Sequence, residues 1–196
     1  MDNFLEEYDR ALLLKINSLH NELLDTLMWQ FSEIYILTPF ALLLLFFYHK
    51  RYQLRNTVAL LLCVGIVIAC TDLSSNSVKH MVKRYRPTHN LQIKDKLHIV
   101  KDYRGGKYGF FSSHAANTVG VTTFLFLAAS WVYRRYRLLF FLFPFLIIYS
   151  RMYLGAHYPS DVLIGTIDGL IFGYIVFLIF RKYFFKSPLV NEPINE

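Results

Sequence analysis

The stretch Ser150-Arg-Met-Tyr-Leu-Gly-Ala-His157-Tyr-Pro-Ser-Asp161 decides how this chain folds. It is a polar interruption between two uncharged blocks, Leu138 to Ser150 and Gly169 to Phe180. Three more blocks upstream also lack charge: Ile34 to Tyr48, Thr57 to Thr71 and Ala115 to Tyr133. A helix that spans a bilayer needs about 20 mostly apolar residues, and with their flanks the five blocks reach that length. Buried helices of a soluble bundle would keep a polar stripe at 3.6-residue spacing, whereas these blocks are apolar all round. The expected fold is therefore an all-α integral membrane bundle of five transmembrane helices, preceded by an amphipathic interfacial helix.

The composition agrees. Of 196 residues, 55% are hydrophobic and 17% aromatic, with a formal net charge of +7 and a pI near 9.4. In a soluble protein that charge would suggest a nucleic-acid partner. Here the cations gather at segment ends, so membrane topology and an anionic ligand account for them, and no nucleic acid is expected. Cys63 and Cys70 both fall in the second block, seven residues apart on one helix face, which is too far for a disulfide; both are expected to be buried thiols. The first thirty residues are too polar for a cleavable signal peptide.

Along the chain, residues 1–25 carry Phe4, Leu5, Tyr8, Leu12, Ile16 and Leu19 at helical spacing, as in a helix lying in the membrane interface. Residues 26–186 form one membrane domain, with segments expected over about Thr26 to Tyr48, Asn56 to Lys79, Ser112 to Tyr133, Leu138 to Tyr153 and Ser160 to Phe180. Residues 187–196 are a polar tail. The turns His49 to Arg55 and Arg134 to Arg137, and the pair Arg181-Lys182, are basic. With five crossings they share one side, so the positive-inside rule makes that side, and the tail, cytoplasmic. Up to Glu33, seven acids stand against only Arg10 and Lys15, which suits an outer N-terminal stretch. Three polar clusters then meet on the outer face.

The first is Lys79-His-Met-Val-Lys83-Arg84-Tyr-Arg86-Pro87. If the second segment continues as a helix, Lys79, Lys83 and Arg86 project from one face, either as a snorkelling collar or as a clamp for phosphate, to which the planar guanidinium fork is suited. The second is Ser112-Ser113-His114 at the start of the third segment. A serine there caps free N–H groups, and those N–H groups with the helix dipole also favour an anion. The third is the opening stretch, with Arg151 as another cation. Pro159 and Ser160 should begin the fifth segment and leave Asp161 in its first turn. From there Asp161 can accept a hydrogen bond from one ring nitrogen of His157, which fixes the tautomer and leaves the other nitrogen as a nucleophile.

These clusters carry a resemblance. The chain resembles the type 2 phosphatidic acid phosphatase superfamily, whose motifs are Lys-x6-Arg-Pro, Pro-Ser-Gly-His and Ser-Arg-x5-His-x3-Asp. The first is matched by Lys79 to Arg86-Pro87, and the third by Ser150-Arg151, His157 and Asp161. The second reads Phe111-Ser112-Ser113-His114 and departs at the proline and the glycine. The resemblance implies a lipid phosphatase that uses neither cofactor nor metal. His157 would attack phosphorus and form a phosphohistidine intermediate, Asp161 would orient it, and His114 would protonate the leaving group. Lys79, Arg86, Ser112, Ser113 and Arg151 would hold the phosphoryl oxygens. Its expected partners are the bilayer and a lipid phosphate, such as lipid A, undecaprenyl pyrophosphate or a glycerophospholipid phosphate. The expected setting is the inner membrane of a bacterium, with the site facing the periplasm. The alternatives are a lipid phosphotransferase using the same intermediate and a non-catalytic protein that binds or transports anionic lipid. The oligomeric state is not set.

Other polar residues are given structural or peripheral roles. Asp72 and Asp168 lie deep in segments and are expected to be paired or hydrogen-bonded. Lys83, Arg84, His89 and Lys101 are expected at the rim. His20, His80 and His98 are expected at the surface or interface.

Overall fold

A computed structural model of the chain describes residues 4–33, 38–130 and 132–184. The described residues fold into helices joined by turns and by one long connection, residues 83–112, which holds three 3-10 turns and a single isolated antiparallel bridge between Tyr85 and Tyr108. The amphipathic start is α1, Phe4–Asn17, and α2, Glu22–Ser32, follows after a short turn. Then come α3, Thr38–Arg51; α4, Leu54–Val82; α5, Ser113–Ala128; and α6, Arg134–Arg137. A 3-10 turn, Leu138–Phe141, leads from α6 into α7, Leu142–Tyr153, and α8, Pro159–Tyr183, closes the bundle.

Three of these segments are long and apolar enough to cross a membrane: Leu54–Val82, Arg134–Tyr153 and Pro159–Tyr183. The fourth segment expected from sequence is therefore lengthened backwards through its basic turn. The expected first segment is divided. Its polar beginning belongs to α2, which ends in the extended residue Glu33, and α3 has only 14 residues. The third is α5, at 16 residues shorter than the block from Ser112 to Tyr133. The polar tail, 187–196, lies outside the described residues.

The helix pair that fixes the architecture is α5 against α8. Gly165, Gly169 and Gly173 recur every four residues on one face of α8, and this stripe lies against the α5 backbone. A Cβ built on Gly165 would stand 2.5 Å from the Ser112 carbonyl oxygen, and one on Gly173 would stand 2.4 Å from that of Gly120. Small residues at this spacing let helix backbones approach as no larger side chain allows, and van der Waals packing drives helix association where the solvent is lipid. The half of the bundle nearer the start of α4 and the ends of α5 and α8 is filled by Leu60, Val67, Phe124, Phe177 and Phe180, drawn from those three helices.

The opposite end is capped by the chain between α4 and α5. Its Ile93 and Leu97 bury with Leu13 of α1 and with Tyr158, while Val100 buries with Met28 of α2 and with Tyr153 and Leu154. One face of α1 is thus packed inside the protein, with Leu13 fully buried, while Phe4, Leu5 and Tyr8 stay exposed on the other. Asn17 secures the junction: its side chain donates to the carbonyl oxygens of Tyr153 and His98, and it accepts from the His98 N–H.

Candidate active site

The site forms where the C-terminal ends of α4 and α7 meet the N-terminal ends of α5 and α8. α8 begins at Pro159, which suits the first helical turn because it has no N–H to leave unpaired. The Asp161 carboxylate, two residues on, accepts from the Tyr158 N–H at 2.9 Å and so caps the helix start. The main chain of the same residue reaches α5, because the Ser112 N–H donates to the Asp161 carbonyl oxygen at 3.1 Å. Ser112 is the N-cap of α5, its hydroxyl accepting from the Ala115 N–H. One backbone hydrogen bond, backed by the glycine stripe below it, therefore joins the starts of the two helices that carry His114 and Asp161.

His157 sits in the turn between α7 and α8. Gly155 takes a φ of +66° there, a left-handed conformation that glycine adopts without steric cost. The N–H groups of Ala156 and His157 both donate to the Arg151 carbonyl oxygen, which folds the turn back over the end of α7. Ser150, Arg151, His157 and Asp161 are all buried. The Nδ1 atom of His157 stands 3.6 Å from Asp161 Oδ2, an ion-pair distance rather than a tight hydrogen bond. Burial pushes the His157 imidazolium down to about 4; the nearby carboxylate of Asp161 opposes the shift, and the Arg86 and Arg151 charges add to it. The ring is thus neutral at physiological pH, the state a nitrogen nucleophile needs.

The cations come from three directions. Arg151 donates from Nη2 to the Tyr103 hydroxyl at 2.6 Å, with its guanidinium also near that ring, and its Nε has no hydrogen-bond partner. Arg86 donates from Nε to the Tyr108 carbonyl oxygen and from Nη1 to that of Ala156. Lys79 donates from Nζ to the Ser113 hydroxyl, which also shares a 2.8 Å hydrogen bond with the Ser75 hydroxyl. His114, in the first turn of α5, lies within the field of Arg151, His157, Arg86 and Lys79. The arrangement offers a neutral imidazole backed by a carboxylate, a second imidazole, and three cations able to neutralise a tetrahedral or trigonal-bipyramidal oxyanion.

The sequence profile of the PAP2 superfamily matches residues 56–185. The chain belongs to the PAP2 superfamily. A lipid A 4'-phosphatase of Bacteroides thetaiotaomicron is 33% identical over 186 residues, covering 93% of this chain and 81% of that protein. A lipid A 4'-phosphatase of Porphyromonas gingivalis is 32% identical over 180 residues, covering 90% and 75%. Among solved structures, the transmembrane PAP2-type phosphatidylglycerolphosphate phosphatase of Bacillus subtilis superposes with a TM-score of 0.69 at 21% identity, covering 94% of this chain and 90% of that one. That likeness is one of fold.

The residues expected for the site, Lys79, Arg86, Ser112, Ser113, His114, Arg151, His157 and Asp161, lie on the chain elements that converge here, but not all by the expected route. Arg86 does not continue the face of α4. The helix ends at Val82, and Lys83 turns left-handed at a φ of 52°. Arg86 is instead held on an extended segment, where its N–H donates to the Lys107 carbonyl oxygen.

Arg84 is not a rim residue. Its Nη1 donates to Asp161 Oδ1 at 2.7 Å and to the Ser160 hydroxyl at 2.7 Å, its Nη2 donates to Asp9 Oδ2 at 2.6 Å, and its guanidinium lies 4.1 Å from the centre of the Tyr158 ring. Nor is His98 a plain surface histidine. Its Nε2 is 2.7 Å from Asp25, which also accepts from the Tyr153 hydroxyl, and its ring stacks on His20. Asp72 accepts from the Asn117 side chain, and Asp168 from the Ser74 hydroxyl. Cys63 is buried as expected, while Cys70 is partly exposed. Beside the site, a cleft of about 550 Å³ runs between α1 and α8, with Asp9, Arg84 and Ser160 among its lining.

Proposed function

We propose that this integral membrane protein is a lipid phosphatase that removes a phosphate from a lipid A headgroup at the periplasmic face of a bacterial inner membrane. The observation that carries this reading is the buried His157, neutral at physiological pH, with Asp161 behind one nitrogen and Lys79, Arg86 and Arg151 converging on the same place. The two lipid A 4'-phosphatase relatives, matched over nine-tenths of the chain, favour lipid A over the other lipid phosphates and the 4' position over the 1 position.

In the proposed reaction the Nε2 lone pair of His157 attacks phosphorus, and the bond from phosphorus to the sugar oxygen breaks. His114, held neutral in the free site by burial and the surrounding cations, takes up the proton of the bound phosphate monoanion and gives it to the departing oxygen. Asp161 stabilises the positive charge that develops on the His157 ring. The three cations and the Ser113 N–H hold the equatorial oxygens while charge builds on them. Water, losing a proton to His114, then attacks the phosphohistidine, and free phosphate leaves with His157 neutral again. A site at the membrane edge suits such a substrate, because the acyl chains can stay in the bilayer while the headgroup rises to His157. The five-span topology, with residues 1–25 on the outer side, 26–186 as the phosphatase domain and 187–196 in the cytoplasm, belongs to the same proposal.

The test is phosphate release by purified protein in detergent from lipid A, undecaprenyl pyrophosphate, phosphatidylglycerophosphate and phosphatidic acid, with mass spectrometry locating the phosphate lost. Loss of the 4' phosphate from lipid A, abolished in a folded His157→Ala variant, is the expected result. Activity confined to another lipid would overturn the substrate, and undiminished release by His157→Ala would overturn the mechanism.

A further inference from the structure

Asp161 has two carboxylate oxygens, and they face opposite ways. Oδ2 faces His157 Nδ1 and the Tyr158 N–H; Oδ1 accepts from Arg84 Nη1. The other arm of the same guanidinium, Nη2, donates to Asp9 Oδ2. Asp9 comes from α1, the far end of the chain, and has only 8% of its side chain exposed. Its second oxygen accepts from the Ser160 N–H at 2.9 Å, in the first turn of α8. Neither Asp9 nor Arg84 belongs to the motifs that carry the family resemblance.

A buried carboxylate is retained only with its hydrogen bonds and counter-charge supplied. Asp9 has both, and they tie it to the two residues beside Asp161 that matter most for its placement: Arg84 and Ser160. From these contacts we infer that Asp9 and Arg84 are positioning residues for the catalytic pair, a relay through which docking of α1 sets how strongly Asp161 supports His157.

The relay rests on the phosphatase reading above. Arg84 draws on Asp161 from the side away from His157 and weakens its hold on the imidazole. Asp9 draws on Arg84 in turn and moderates that pull. Removing Asp9 leaves Arg84 to bind Asp161 more fully, while removing Arg84 releases Asp161 to His157. The two losses therefore act in opposite directions. The other groups that bear on the pair are Lys79, Arg86 and Arg151, with Tyr103 on Arg151 and Arg86, and His114 across the site. They are unchanged in every variant below.

The experiment measures kcat/KM against pH for the full-length protein in detergent, corrected for the ionisation of the substrate phosphate, beside its thermal midpoint. Asp9→Asn should lower kcat/KM roughly tenfold, the factor that loss of one charge-assisted hydrogen bond commonly carries, and move the acid limb to lower pH. Arg84→Gln should move it to higher pH, each shift about half a unit or more. The double variant Asp9→Asn with Arg84→Gln should track Arg84→Gln, because the pull that Asp9 moderates is gone once Arg84 is removed, while the Asn amide oxygen can still accept from the Ser160 N–H. Glu7→Gln, which removes the same charge from the exposed side of α1, should match the wild type.

An acid limb unmoved in both single variants would overturn the relay and leave Asp9 a purely structural tether. A double variant that returns to the wild-type limb would also overturn it, since two opposite charges acting independently through space would cancel. So would a shift in Glu7→Gln equal to that of Asp9→Asn. If Arg84→Gln does not fold, Arg84→Lys takes its place, keeping the charge but losing the fork that joins Asp9 to Asp161: a limb moved to higher pH supports the relay, and an unmoved limb overturns it. Absence of phosphate release by the wild type is a separate result, which overturns the phosphatase reading before any variant is compared.

Discussion

Gly169 of α8 lies so close to α5 that a Cβ on it would stand 2.4 Å from the Ala116 carbonyl oxygen and 2.8 Å from the Gly120 nitrogen. Both neighbours are backbone, so neither can swing away. The active-site ends of these helices are joined only a few turns above, through Ser112 and Asp161.

Gly169→Ala should therefore destabilise the fold by about 1–3 kcal/mol, the range seen when a packed contact is overfilled. Part of that strain should appear as lower activity, because spreading α5 from α8 pulls His114 from His157. Gly65→Ala, on an exposed face of α4 with nothing within 4 Å, should leave the thermal midpoint unchanged or raise it. Thermal unfolding in detergent separates the two.

Ser113 stands where the family motif has glycine, and its hydroxyl receives the Lys79 ammonium, with Ser75 behind it. Ser113→Gly restores the motif's glycine but takes the hydroxyl from Lys79. Kinetics on lipid A should show kcat/KM reduced, by roughly tenfold, and Ser75→Ala should move it the same way by less. Unaltered kinetics in Ser113→Gly would mean that Lys79 is held in place by other groups.

The pH dependence follows from burial of His157. Its imidazole is protonated only below about 4, against an ordinary value of 6.5. The nucleophile is thus available above that point and lost below it. With the substrate's own phosphate ionisation removed, kcat/KM should fall on the acid side around pH 4 rather than 6.5. The same shift should erode stability as pH falls from 6.5 towards 4, because the unfolded chain takes up the proton first.

Three cationic side chains stand where another phosphatase would use metal ions. Initial rates should therefore survive treatment with a chelator, and vanadate, which takes up the five-coordinate geometry of phosphoryl transfer, should inhibit competitively. Activity lost to chelator and restored by a divalent cation would reverse that expectation.

The convergence of the candidate residues is legible in the sequence where local spacing fixes them. His157 and Asp161 are one helical turn apart across a proline that starts a helix, and Ser112 with His114 marks another helix start. Arg84 was not legible in the same way. Its partner Asp9 is 75 residues away, and two neighbouring cations of like type gave no reason to choose between them. The glycines of α8 were visible at a spacing of four but read as part of an apolar block. Only the partner helix reveals that their lack of a side chain is what matters. The end of α2 at the extended Glu33, inside the first expected segment, is not legible, because apolar content carries no record of where a helix stops.

The hydrogen bond from the Ser160 N–H to Asp9 spans 151 positions of sequence. Helices leave the ribosome in chain order, so α1 is made before any of its partners in this network. Arg84 follows, then Ser112 and His114, and α8 arrives last of the described helices. Competence is therefore an end-of-synthesis event: a nascent chain stalled between Arg151 and His157 already holds Lys79, Arg86 and Arg151 but lacks both the His157 imidazole and the Asp161 carboxylate.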